Sequence, residues 1–130
     1  MNNGKKTILI LDDEDMLISI YQAYIECLGY NPVIVTNSIE AVRVFREAYE
    51  NGERFDAVIL DEFIPDQMSG TDVLHELRCT DPHILAIATS GNMFRENAAD
   101  YILKGFNGTL PKPIEVQDMG TALYLLFRAD

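Results

Sequence analysis

Short apolar runs alternate along this chain with longer segments of helical period. Thr7-Ile8-Leu9-Ile10-Leu11 is a continuous apolar run, the pattern of a strand buried on both faces. Residues 15–28 follow with Leu17, Ile20, Tyr21, Tyr24 and Leu28 on one helical face, and Gly29 stands where a helix-terminating glycine belongs. Val33-Ile34-Val35 predicts a second strand. Asn37 with Glu40 three residues on resembles a capping box, opening a helix that turns Ile39, Val42, Phe45 and Tyr49 inward and ends near Asn51-Gly52. The alternation repeats with strands at 57–60, 84–88 and 108–110. Helices are expected at 71–78, 94–103 and 114–128, the last with Val116, Met119, Leu123, Leu126 and Phe127 apolar. Five strand–helix pairs in strict alternation predict an α/β fold, a parallel sheet with helices on both faces.

Composition narrows what such a domain can do. The 130 residues fit one domain, and the pattern leaves no room within them for an effector domain. They are too few for a barrel enzyme or a two-domain dehydrogenase. Ten Lys and Arg stand against 21 Asp and Glu, a net charge of -11. Such a surface repels phosphate backbones and anionic lipid, so neither nucleic acid nor a membrane is the expected partner. No apolar run approaches the roughly 20 residues of a membrane helix, and the N-terminus lacks the pattern of a signal peptide. Cys27 and Cys79 have no metal-site spacing and read as reduced thiols of a cytoplasmic protein.

In folds of this class, ligands bind beyond the carboxyl ends of the strands. The first strand delivers Asp12 and Asp13 there, the third Asp61, the fourth Thr89 and Ser90, and the fifth Lys112. Three converging carboxylates raise one another's pKa unless a cation intervenes. Magnesium fits best, because it accepts a few carboxylates and keeps several waters. Asp13 and Asp61 are the expected direct ligands, Asp12 binds directly or through water, and the carbonyl of Phe63 is a further candidate. A free oxygen of Asp61 is then able to attack phosphorus and form an aspartyl phosphate. Lys112 and Ser90 would hold and neutralise the other phosphoryl oxygens.

This ordered set resembles the receiver domain of bacterial two-component response regulators. The resemblance runs from Ile8-Leu9-Ile10-Leu11-Asp12-Asp13-Glu14 through Ala57-Val58-Ile59-Leu60-Asp61 to Lys112-Pro113. It implies a doubly wound, flavodoxin-like, five-stranded fold of strand order 2-1-3-4-5. It also implies magnesium-dependent phosphorylation of Asp61 by a histidine kinase or phosphotransfer protein, and a cis Lys112–Pro113 peptide. A downstream effector protein would read the face of the fourth helix, fifth strand and last helix, and a homodimer is possible. Ser90-Gly91 matches the family's hydroxyl position better than Thr89-Ser90, which makes Thr89 an inward strand residue. Three departures stand out. Gly70 comes one residue late after Pro65, so the loop beside Asp61 carries an insertion. Thr109 occupies a position that is usually aromatic. Pro111 removes a donor at the end of an edge strand.

Plainer readings exist for each residue. Asp12 and Asp13 could cap a helix, although Glu14 and Asp15 are better placed for that. Asp61 could be a turn residue and Lys112 a solvated lysine. Glu62 and Asp66 read as solvated loop acids, and His75 and His83 as surface residues. Phe94, Tyr101 and Phe106 are expected on the output side, partly exposed for a partner. Two rival functions share the residue types. One is a phosphorylation-independent pseudo-receiver used as an interaction module. The other is a magnesium phosphohydrolase with an aspartate nucleophile, which usually carries Asp-x-Asp after its first strand, whereas Asp61 is followed by Glu62-Phe63.

Overall fold

The computed structural model describes residues 4–91 and 98–128. Strands β1 (Thr7–Leu11), β2 (Asn31–Val35), β3 (Ala57–Asp61), β4 (Leu85–Ser90) and β5 (Gly108–Pro111) alternate with helices α1 (Asp15–Cys27), α2 (Ser38–Glu50), α3 (Gly70–Thr80), α4 (Ala98–Leu103) and α5 (Val116–Arg128). All strand pairings are parallel, in the order β2-β1-β3-β4-β5. The expected class and strand order are both present. Residues 94–97 of the expected fourth helix, Phe94 included, lie outside the described residues.

Side-chain alternation along the central strands builds two cores. Leu9, Leu11, Val58, Leu60, Ala86 and Ala88 face Phe45 of α2, Leu74 and Leu77 of α3 and Tyr101 of α4. Ile8, Ile10, Ala57, Ile59 and Ile87 face Tyr21 and Ile25 of α1 and Met119, Leu123 and Leu126 of α5. Burial on both faces explains why residues 8–11 of β1 and 57–60 of β3 are apolar throughout.

Several sequence expectations change. Ile39 is 76% exposed; the inward stripe of α2 is Ser38, Ala41 and Phe45. A buried serine is tolerated there because its hydroxyl donates to the Met68 carbonyl at 2.8 Å. Tyr101 and Phe106, expected to be partly exposed, are buried and meet edge to face at 6.0 Å between ring centroids. β2 begins at Asn31, two residues before the apolar run, with Pro32 placed on an edge strand. His75 and His83 are on the surface as expected, and both cysteines are free and exposed. Among the described residues, no helix is long and apolar enough to cross a membrane.

The loop after β3 is anchored rather than loose. Asp66 takes a positive φ of 62°, a turn conformation that Asp accepts better than most residues. Gln67 Oε1 accepts from the Ser38 amide at 2.6 Å, tying the loop to the start of α2. Ser69 caps α3 by accepting from the Asp72 amide. Gly70 lies so close to β3 that a Cβ on it would stand 2.6 Å from the Asp61 carbonyl oxygen.

Candidate functional site

The site forms where β1, β3 and the turn after β5 end on the same edge of the sheet. β1 runs out at Leu11, and the Asp12 amide donates to the Val35 carbonyl at 3.2 Å. This continues the ladder by one bond and fixes Asp12 in a fully buried position. Asp12 Oδ1 accepts from the Glu14 amide at 2.9 Å, and Oδ2 accepts from the Tyr21 hydroxyl at 3.2 Å. Burial, and then the neighbouring Asp12 charge, push the Tyr21 hydroxyl far above its ordinary pKa, so it remains a donor. Asp61 closes β3 and is 3% exposed. Its Oδ1 accepts from the Phe63 amide at 3.3 Å.

Asp12, Asp13 and Asp61 each bring a carboxylate oxygen to one point, all within 4.8 Å of one another. Lys112 enters from β5, with Nζ 3.1 Å from Asp61 Oδ2, 3.1 Å from Asp12 Oδ2 and 2.7 Å from Glu14 Oε1. Pro111 and the cis peptide to Pro113 flank it, and its amide reaches the Ser90 carbonyl at 3.4 Å. Burial pushes the Asp61 carboxyl up to about 6, against the pull of Lys112 and with help from Asp12. Burial opposes the Lys112 charge, but Glu14, Asp61 and Asp12 outweigh it and hold the ammonium above its ordinary pKa.

Ser90 is buried as the last residue of β4, paired in register with Pro111. Thr89 is buried opposite Asp61 in the β3–β4 register, in keeping with an inward strand residue. Phe63 contributes its amide to Asp61, and its side chain is half-exposed. Glu62 departs from expectation: it is buried, not a solvated loop acid. Just past the end of β3, it accepts from the Thr71 amide and hydroxyl and pairs with Lys104 at 3.2 Å. Glu14 and Tyr21 join the site although the sequence pattern does not mark them for it. The four-acid run at 12–15 was the available signal for Glu14. Nothing distinguished Tyr21 from an ordinary core aromatic.

Three hard oxygen donors against one ammonium leave an excess of negative charge that suits a hard divalent cation. The donor set therefore fits magnesium.

The sequence model of the response regulator receiver domain matches residues 8–124. The chain belongs to this family. It is a receiver domain of the two-component signalling class, similar both to response regulators and to receiver segments of sensor kinases. It is 28% identical over 122 residues to the probable transcriptional regulatory protein TcrX of Mycobacterium tuberculosis, covering 94% of this chain and 50% of that protein. It is 31% identical over 113 residues to the autoinducer 1 sensor kinase/phosphatase LuxN of Vibrio harveyi, covering 87% of this chain and 12% of that one. The receiver domain thus spans about half, or far less, of the curated relatives it matches. A receiver domain protein from Clostridium thermocellum superposes with a TM-score of 0.82 at 29% identity, covering 95% of each chain. The receiver domain of a sensor histidine kinase from Pseudomonas aeruginosa PAO1, described with a magnesium ion coordinated in its active site cleft, shares the fold. Its TM-score is 0.78 at 24% identity, covering 96% of this chain and 97% of that one.

Proposed function

We propose that this receiver domain is a magnesium-dependent phosphoacceptor switch in which Asp61 takes the phosphoryl group. The observation that carries the reading is the position of Lys112 Nζ, 3.1 Å from both Asp61 and Asp12, where three carboxylates converge. Asp12, Asp13 and Asp61, with the Phe63 carbonyl, would hold the ion. Bound there, magnesium supplies charge neutralisation for the acids and the incoming phosphoryl oxygens. An Asp61 oxygen attacks phosphorus of a phosphohistidine. The P–N bond breaks, and its electron pair leaves with the imidazole, which takes up a proton. Lys112 and Ser90 then hold phosphoryl oxygens, so the chain contributes mainly positioning and neutralisation.

The donor is a histidine kinase or phosphotransfer protein. Phosphorylation adds about -1.5 to -2 charge to a buried strand end, biasing the packing of α4, β5 and α5 that an effector protein reads. The domain works in the cytoplasm, as a monomer or homodimer, and residues 1–130 form a single receiver unit. It performs no metabolic turnover beyond its own phosphotransfer and dephosphorylation. Thr109, small and half-buried on β5, favours the second reading of a phosphorylation-independent interaction module.

An NMR titration with magnesium and beryllium fluoride separates the two. Shifts around Asp61, Ser90 and Lys112 that vanish in Asp61→Asn support the switch. An unresponsive spectrum supports the module, and turnover of small phosphate esters supports the phosphohydrolase.

A further inference from the structure

Lys112 has three anionic neighbours, and one lies outside the cation and phosphoryl chemistry proposed above. The shortest of its contacts, 2.7 Å, is to Glu14 Oε1. Glu14 is the N-cap residue of α1, yet its side chain makes no capping hydrogen bond. An N-cap side chain usually accepts from the first turn's amides; this one reaches across to Lys112, 98 residues away in sequence. Its backbone is fixed, because its amide donates to Asp12 Oδ1 at 2.9 Å. Its side chain is 55% exposed, while that of Lys112 is 12% exposed. The lysine is therefore held from the solvent side by a partner that can leave at little cost, and from the inside by two that cannot.

We infer that Glu14 is a positioning residue that tethers Lys112 at the mouth of the site before phosphorylation and competes with the incoming phosphoryl group for it. The inference rests on the phosphoacceptor reading of Asp61. With acetyl phosphate as donor, an Asp61 oxygen bonds to phosphorus, the bond from phosphorus to the acetyl oxygen breaks, and acetate leaves with the electron pair. The phosphoryl oxygens then claim Lys112, and Glu14 turns out into water. Glu14 slows acceptance of the group and restores the resting position of the lysine once the group is lost.

Two variants test this against wild type. Glu14→Gln keeps the shape and removes the charge. Glu14→Asp keeps the charge, but is one methylene shorter and a better cap for α1. A tether predicts that both variants accept phosphoryl from acetyl phosphate about two- to fivefold faster, the scale of one exposed ion pair. It also predicts that both shift the Lys112 side-chain resonances of the metal-free protein, with no loss of melting temperature in either. A faster Gln variant with a wild-type-like Asp variant means general charge repulsion and overturns the tether. Equal rates and unmoved Lys112 resonances in both variants also overturn it. Wild-type protein that takes no phosphoryl group overturns the phosphoacceptor reading, and the competition with it, a result distinct from equal rates.

Discussion

Replacing Asp61 with asparagine should stabilise the metal-free protein, although it removes the group on which the proposed function depends. Burial raises the Asp61 carboxyl from 3.8 to about 6, so its ionised form is less favourable in the folded than in the unfolded chain. A group whose folded pKa is raised contributes stability below its unfolded value and loses it as pH rises through the folded value. The loss therefore falls between about pH 4 and 6, and at pH 7.5 it is complete. At about 1.4 kcal/mol per pKa unit, the shift sets a ceiling near 3 kcal/mol. That shift already includes the pull of Lys112, which Asp12 and Glu14 still hold in the variant; discounted for solvent screening, a net gain of about 1–2 kcal/mol is expected. Urea unfolding in EDTA measures it. Asp61→Asn should exceed wild type at pH 7.5 with an unchanged m-value, and the gap should narrow as pH falls through 6 and close below about pH 4, where the carboxyl is protonated in the folded and the unfolded chain alike. A variant less stable than wild type in EDTA at pH 7.5, or a gap indifferent to pH, would refute the reasoning.

Further expectations concern the same strand ends. Magnesium should raise the stability of wild type by about 2.7 kcal/mol at a concentration 100 times its dissociation constant; Asp13→Asn should abolish most of that gain while leaving a folded protein, as read by thermal unfolding. Gly70→Ala places a methyl 2.6 Å from the Asp61 carbonyl oxygen, so it should cost about 1–3 kcal/mol and move the amide resonances of Asp61 and Glu62. Glu62→Ala strips the Thr71 amide and hydroxyl and Lys104 of an acceptor; a loss of about 1–3 kcal/mol is expected in chemical denaturation. Lys104→Ala, at a 40% exposed partner, should cost well under half as much.

The sequence made the layered sheet legible because β1, β3 and β4 are buried on both faces, and apolar runs followed by an acid or hydroxyl mark both a strand and its end. Asp12, Asp13, Asp61 and Lys112 could be brought together from that alone, since a parallel sheet collects the carboxyl ends of its strands on one edge. Residues whose burial depends on a partner elsewhere were harder to read. Ser38 displaces Ile39 from the inward face of α2 because a loop carbonyl 30 residues away satisfies its hydroxyl. Glu62 is buried because α3 and α4 supply its donors. Tyr101 packs against Phe106 across a turn that no local periodicity describes. Glu14 looked like a helix cap by position, and only the approach of Lys112 reveals its partner.

The central claim is covalent chemistry at Asp61. Mass spectrometry of peptides after brief exposure to acetyl phosphate and magnesium tests it most directly. The account predicts one phosphoryl group on the Asp61 peptide, absent with EDTA and absent in Asp61→Asn. A wild-type protein left unmodified under these conditions, or a phosphoryl group that persists in Asp61→Asn, would contradict it.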